Sequence, residues 1–251
     1  MSQGLDVEQG ARKWGGQTVS VVQEVSRADG HSAAAFDGTL AARIIQDSAF
    51  VYPSAALVSR RSNTREVLIR ALDVVGSVTI LLLAAPVMLV IALLIRIVCG
   101  GPSLYKQERV GKNGKIFTLY KFRTMVNGAE EHTGPILASQ NDSRVTPIGS
   151  ILRKTRLDEL PQLFNVLRGD MSLVGPRPER PYFVNQHKAL QGIRLTVKPG
   201  LTGLSQVRSF YNLKPEHKLK YDYLYIQRRS LLLNVNILLR TIPVVFSRKG
   251  W

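Results

Sequence analysis

The chain has a single cysteine, Cys99, in 251 residues, which excludes an internally disulfide-stapled scaffold. Histidine is equally scarce. His31, His132, His187 and His217 lie far apart, without the spacing a Cys/His zinc site needs. The first 64 residues hold no apolar h-region, so no cleavable secretion signal is expected and the chain reads as intracellular or cytoplasm-facing. The G-x-x-x-x-G-K-[ST] phosphate loop, a strand-flanked G-x-G-x-x-G and the G-x-S-x-G nucleophile elbow are all missing. Carboxylate and arginine chemistry is what remains.

Acidic side chains are also few: 18 against 34 Lys and Arg, a formal net charge of +16. Mean hydropathy is nevertheless near zero, so a very apolar segment must offset a very basic one. Residues 1–64 carry six basic and six acidic side chains, while residues 99–251 carry 25 basic and 10 acidic ones. The excess therefore belongs to the C-terminal part. Such a surface attracts polyanions: nucleic acid, anionic lipid head groups, or nucleotide and pyrophosphate substrates.

From Val74 to Ile95 run 22 residues without a charge, roughly 33 Å of helix against a hydrocarbon core of about 30 Å. Pro86 interrupts the run, and both flanks are basic: Arg60, Arg61, Arg65 and Arg70 before it, Arg96, Lys106 and Arg109 after it. A spanning helix usually shows that excess on one side only. A proline-bent hairpin that re-enters one leaflet and a simple span both remain open, ahead of a buried core helix. Residues 1–64 show no sustained period and read as a flexible leader, with a short helix near Leu40–Ile45.

Residues 99–251 alternate strand-like and helical runs. Lys115–Phe122 reads as a strand after the Gly111–Gly114 turn; Ile148, Ile151 and Leu152, then Leu160, Leu163, Phe164 and Leu167, have helical spacing. Because Pro161 suits only a first turn, the second of these helices is expected to start near Asp158, with Asp158 as its N-cap. Read alone, Asp158 is an ordinary cap and Glu159 a surface residue that complements the helix dipole. Beside Arg153, Lys154 and Arg156 the pair also suits a site where one carboxylate attacks or binds a metal while cations neutralise a diphosphate. Arg177, between Pro176 and Pro178, is either a solvated turn residue or a preorganised phosphate donor. The stretch Tyr221–Ile226 and the run around Leu231–Leu239 suit a membrane surface or an ordinary core.

From about Val67 onward the chain resembles the monotopic polyprenyl-phosphate phosphoglycosyl transferases, the bacterial sugar transferases. The words that carry the resemblance are Ala71-Leu72-Asp73, Gln107-Glu108-Arg109-Val110-Gly111, Tyr120-Lys121-Phe122-Arg123-Thr124-Met125, Leu157-Asp158-Glu159-Leu160-Pro161-Gln162, Gly175-Pro176-Arg177-Pro178 and Lys198-Pro199-Gly200-Leu201-Thr202-Gly203. The departures are Ala85 before the bending proline, Leu204-Ser205 where Trp-Ala is common, and Asn234 where Asp is common. The resemblance implies an α+β fold: a re-entrant membrane helix (65–98), then a compact, mostly helical catalytic domain (99–251) with a small β element and interfacial amphipathic helices. Without the four preceding membrane helices of large relatives, the chain resembles a small member with a short leader. The implied reaction moves a sugar 1-phosphate from a UDP-sugar to polyprenyl (undecaprenyl) phosphate, at the cytoplasmic face of the bacterial inner membrane. It starts exopolysaccharide or related glycan assembly.

On this resemblance Asp158 is the nucleophile that expels UMP, and Glu159 is associated with Mg²⁺. Lys121, Arg123, Arg153 and Arg177 match positions near phosphate or nucleotide, and Asp222 matches a downstream acidic position. Galactose or glucose is expected ahead of an N-acetylated amino sugar. Inner-membrane lipid is a further partner, a homo-oligomer is left open, and a nucleic-acid role is not expected because no groove-fitting helix or stacking sheet is visible. The rival reading is a non-catalytic membrane scaffold of a polysaccharide assembly machine, in which Asp158 and Glu159 would be plain surface residues.

Overall fold

A computed structural model describes residues 63–131, 136, 142–208 and 215–246. The leader and its short helix near Leu40–Ile45 lie outside the described residues. The architecture is mixed helix and sheet: one long apolar helix and a mostly helical domain holding two small two-stranded sheets.

Helix α1 (Asn63–Cys99) is 37 residues long and continues through Pro86. It is long and apolar enough to cross a membrane. Its buried residues, Ile69, Asp73, Ser77, Ile91 and Ile95, fall on one stripe at about 100° per residue. Between them Leu82, Leu83, Leu89 and Val90 are exposed. Both ends of α1 are fastened to the domain. Asp73 Oδ1 accepts hydrogen bonds from Ser172 Oγ (2.9 Å) and Leu173 N (2.8 Å). At the far end Ile91 and Ile95 pack with Phe122 and Leu152, and Ser103 Oγ donates to Ala92 O at 2.7 Å.

Strands β1 (Leu104–Val110) and β2 (Ile116–Phe122) form an antiparallel hairpin in the register Leu104↔Phe122 to Val110↔Ile116. Asn113 and Gly114 turn it at positive φ, 57° and 77°, the left-handed region where glycine and asparagine are tolerated best. Alternation puts Tyr105, Gln107 and Arg109 on the same face as Phe117, Leu119 and Lys121. That face positions the site.

Helix α2 (Pro147–Thr155) begins as its sequence dictates, with Pro147 in the first turn and Thr146 Oγ1 accepting from Gly149 N at 3.0 Å. Helix α3 (Gln162–Arg168) ends at Gly169 with φ 90°. Arg70 of α1 donates to the last carbonyls of α3, Val166 O and Leu167 O, at 2.6 Å each, where a cation is favoured. Short parallel strands β3 (Ser172–Val174) and β4 (Gly200–Thr202) follow, in the register Ser172↔Gly200 and Val174↔Thr202. A Cβ on Gly200 would lie 2.0 Å from Gly175 N, so this crossing admits only glycine. Helices α4 (Pro181–Gln186) and α5 (Leu204–Arg208) are short.

Helix α6 (Pro215–Arg228) takes the core alternative: Leu219, Tyr223, Leu224, Tyr225 and Ile226 are buried. Helix α7 (Leu231–Phe246) buries Asn234 and Ile237 but exposes Leu232, Leu239 and Ile242. Asn234 Oδ1 accepts from the Tyr225 hydroxyl, which also donates toward Val174 O.

Candidate active site

Asp158 is not the N-cap that its place before Pro161 suggests. The chain leaves α2 through Arg156 in the left-handed region (φ 60°) and makes a 3-10 turn, Leu157–Glu159, before α3 starts at Gln162. Short i to i+3 bonds satisfy the backbone donors there: Glu159 N to Arg156 O, Leu160 N to Leu157 O and Leu163 N to Leu160 O. The Asp158 carboxylate is thereby left for other work. It is 7 % exposed and Glu159 9 %, whereas a plain scaffold would show them at the surface.

The two carboxylates differ sharply in their surroundings. Glu159 is gripped by Arg177, with Nη2 to Oε1 at 2.7 Å and Nη1 to Oε2 at 3.5 Å, and Arg156 lies 3.9 Å away. Burial pushes Glu159 up most strongly of any one cause, but the charge and hydrogen bond of Arg177, joined by the charges of Arg156 and Lys121, hold the group below the usual glutamate value. Asp158 has no such clamp. Burial first, and the neighbouring Glu159 charge second, raise it to about 7 against the pull of Lys121, Arg177 and Arg153. Lys121, on the inner face of β2, is lowered to about 8 by burial and then by Arg109, while Asp158 opposes the shift. Environments that separate two adjacent carboxylates assign them different roles: Glu159 stays ionised as an anchor, and Asp158 is the more basic group.

Lys121 and Arg153 line a cleft of about 440 Å³, with Tyr105, Arg109, Arg123 and Phe183 on other walls. The Lys121 ammonium lies 5.2 Å from the centre of the Tyr105 ring, its cross-strand partner. Arg153 reaches down from α2, its Nε donating to Thr124 Oγ1 at 2.8 Å. Arg123 donates from Nη2 to Gly100 O and Cys99 O, at the carboxyl end of α1.

The loop carrying Arg177 is held from beneath. Arg109 Nη1 donates to Pro178 O (3.0 Å), Arg194 Nη2 to Arg177 O (2.7 Å), Val110 N to Glu179 O (3.0 Å) and Gly200 N to Pro176 O (2.9 Å). Arg194 is in turn held by Asp222, with Nε to Oδ2 at 2.6 Å. Asp222 is fully buried, and burial raises its carboxyl although Arg194 resists. Asp222 therefore sits one layer behind Arg177, while Asp158, Glu159, Lys121, Arg153 and Arg177 form one electrostatic cluster. Glu179, Arg194 and Arg109 were given no role by sequence reasoning. Glu179 takes ion pairs from Lys218 at 3.2 Å and from Arg194 and Arg109 at 3.9 Å. Its place two residues after Arg177 was the available signal.

For a metal, no group of three or more His, Cys, Asp and Glu side chains converges among the described residues. Mg²⁺ is ordinarily held by one or two carboxylates together with substrate phosphate oxygens. Glu159 fits that partial set, since its two oxygens keep lone pairs beyond those used by Arg177.

Residues 64–248 match the family model described as bacterial sugar transferase. The chain is 41 % identical over 187 residues to a UDP-N-acetylgalactosamine-undecaprenyl-phosphate N-acetylgalactosaminephosphotransferase of Aeromonas hydrophila, covering 72 % of this chain and 44 % of that protein. It is 37 % identical over 224 residues to an undecaprenyl-phosphate galactose phosphotransferase of Salmonella typhimurium, covering 81 % and 47 %. A UDP-glucose:undecaprenyl-phosphate glucose-1-phosphate transferase of Klebsiella pneumoniae is 42 % identical over 186 residues, covering 71 % and 40 %. The chain spans less than half the length of these three relatives.

Proposed function

The chain belongs to the bacterial sugar transferase family, and on that premise we propose that it transfers a sugar 1-phosphate from a UDP-sugar to undecaprenyl phosphate in two steps on Asp158. An Asp158 oxygen attacks the β-phosphorus of the donor. The bond from that phosphorus to the bridging oxygen breaks, UMP leaves with the electron pair, and a phosphosugar remains on the carboxylate. A phosphate oxygen of the lipid then attacks the same phosphorus, the aspartyl–phosphorus bond breaks, and the diphosphate lipid departs with the carboxylate restored. The observation that carries this reading is the pairing of a buried, basic Asp158 with a Glu159 already clamped by Arg177.

Lys121, Arg153 and Arg177 all lie close enough to act on the Asp158 charge, which supports a role for them in neutralising a diphosphate. Mg²⁺ held by Glu159 would supply further charge neutralisation on the departing phosphate. Splitting the transfer lets one site serve a soluble donor and a lipid acceptor in turn.

On the same premise we propose a location at the cytoplasmic face of the bacterial inner membrane, with α1 re-entering one leaflet. A straight span would separate Asp73 from Ile95 by roughly 33 Å across the bilayer, yet both are packed into one domain. That supports both flanks on one side, and their Arg and Lys content favours the cytoplasm. The exposed apolar residues of α7 suit a helix lying at the interface. The product would begin an exopolysaccharide or related glycan.

UMP release with undecaprenyl phosphate and Mg²⁺ tests the reading across UDP-galactose, UDP-glucose, UDP-N-acetylglucosamine and UDP-N-acetylgalactosamine. Galactose or glucose is expected to react fastest. Release from none of the four would return the weight to a scaffold.

A further inference from the structure

Arg123 is 6 % exposed, and its Nη2 is spent on the carbonyls of Cys99 and Gly100 where α1 ends. Its other two nitrogens, Nε and Nη1, are buried without a hydrogen-bond partner among the described residues. A buried cationic donor left unmatched is costly, and such a group calls for a ligand. The side chain also lines the cleft that holds Lys121 and Arg153, both of which act on the Asp158 charge.

We propose that the spare Arg123 donors receive the phosphate of the lipid acceptor, on the wall of the cleft beside Cys99 and Gly100, where α1 leaves its apolar run. This rests on the two-step reading above. An acceptor whose hydrocarbon tail stays in the bilayer can present its phosphate only at the bilayer edge, and the residues Arg123 holds, Cys99 and Gly100, follow directly on the apolar run and Arg96. A soluble donor has no such constraint and can be held by Arg177 and Lys121. Arg123 then steers the acceptor oxygen toward the phosphorus on Asp158. The new phosphorus–oxygen bond forms as the aspartyl bond breaks, and the proton balance is unchanged because the attacking phosphate oxygen is already ionised. A guanidinium suits this task because it never loses its charge.

The test separates the two phosphate sources. Purified full-length protein is first loaded with sugar-labelled UDP-sugar in the absence of acceptor, then chased with undecaprenyl phosphate, for the wild type, Arg123→Gln and Arg123→Lys. The loss in discharge rate is expected to exceed the loss in loading by about tenfold or more in Arg123→Gln, with an increase in acceptor KM and partial recovery in Arg123→Lys. Loading and discharge falling by the same factor, or discharge at the wild-type rate, would overturn the assignment. If thermal melting shows Arg123→Gln unfolded through loss of its bonds to the end of α1, the Arg123→Lys ratio of discharge to loading decides by the same criterion. Failure of the wild type to load at all would instead sink the two-step reading.

Discussion

At the scale of single residues, Asp158 and Lys121 set the acidity range of the reaction. Asp158 must be ionised to attack, and its raised value of about 7 keeps it protonated below neutrality. Lys121, at about 8, loses its charge on the alkaline side. In the metal-free protein the two groups are therefore expected to titrate near those values, read from their NMR signals, and kcat/KM with Mg²⁺ to follow a bell whose acid limb the cation draws to lower pH. Glu159→Gln removes the negative neighbour and releases Arg177, and both changes make Asp158 easier to ionise. The Asp158 titration of the metal-free protein should move to lower pH, while UMP release falls. A titration that stays in place or moves upward would show that Glu159 does not act on Asp158 as its position indicates.

The motif words marked Asp158, Glu159, Lys121 and Arg177 in the sequence, with Arg153 in the basic cluster just before Asp158, because short-range spacing is what a sequence displays best. The left-handed Arg156 was not legible: no glycine or asparagine announces it, so a capped helix was expected where a 3-10 turn stands. The layer beneath was hidden too. Arg194 lies in an unmarked stretch, and its pairing with Asp222 joins residues 28 apart. Arg123 matched a phosphate position by its motif, but its bonds to the end of α1 depend on tertiary packing.

At the scale of elements, the apolar run predicted a long helix, and the strand over Lys115–Phe122 and the helices from Ile148 and Leu160 onward stand close to their expected places, whereas the partner strand Leu104–Val110 was not read from the sequence. How α1 meets the domain rests on Asp73, which serves two donors at the start of β3. Replacing it with alanine leaves Ser172 Oγ and Leu173 N unsatisfied in a buried setting. Asp73→Ala should destabilise the protein by about 2–4 kcal/mol, read as a fall in the melting temperature in detergent. An unchanged melting temperature would mean that this joint contributes little. The crossing of β4 with the Arg177 loop is similarly tight. Gly200→Ala would push against Gly175 N, and through the bond from Gly200 N to Pro176 O it should disturb Arg177. A loss of UMP release larger than the loss of folded protein on gel filtration is expected; equal losses would indicate a purely structural effect.

At the scale of the whole molecule, the fold brings a basic, clamped acidic site and a long apolar helix into one unit. Charge counting located the basic half, and family words named the chemistry, but only packing shows both ends of α1 fastened to the same domain. Single cysteines placed at Arg60 and Lys106, in a background with Cys99 replaced by alanine, should both resist an impermeant thiol reagent in intact cells and react after permeabilisation. Opposite behaviour at the two sites would establish a span.

The proposed reaction turns on a covalent bond between the phosphosugar and the Asp158 carboxylate. Incubating the purified protein with sugar-labelled donor and Mg²⁺, without any acceptor, and quenching under conditions that preserve acyl phosphates tests it directly. Label is predicted on the wild-type polypeptide, chased into lipid by undecaprenyl phosphate, and absent from Asp158→Asn. A wild type that turns over donor without ever carrying label, or an Asp158→Asn protein labelled like the wild type, would contradict the account.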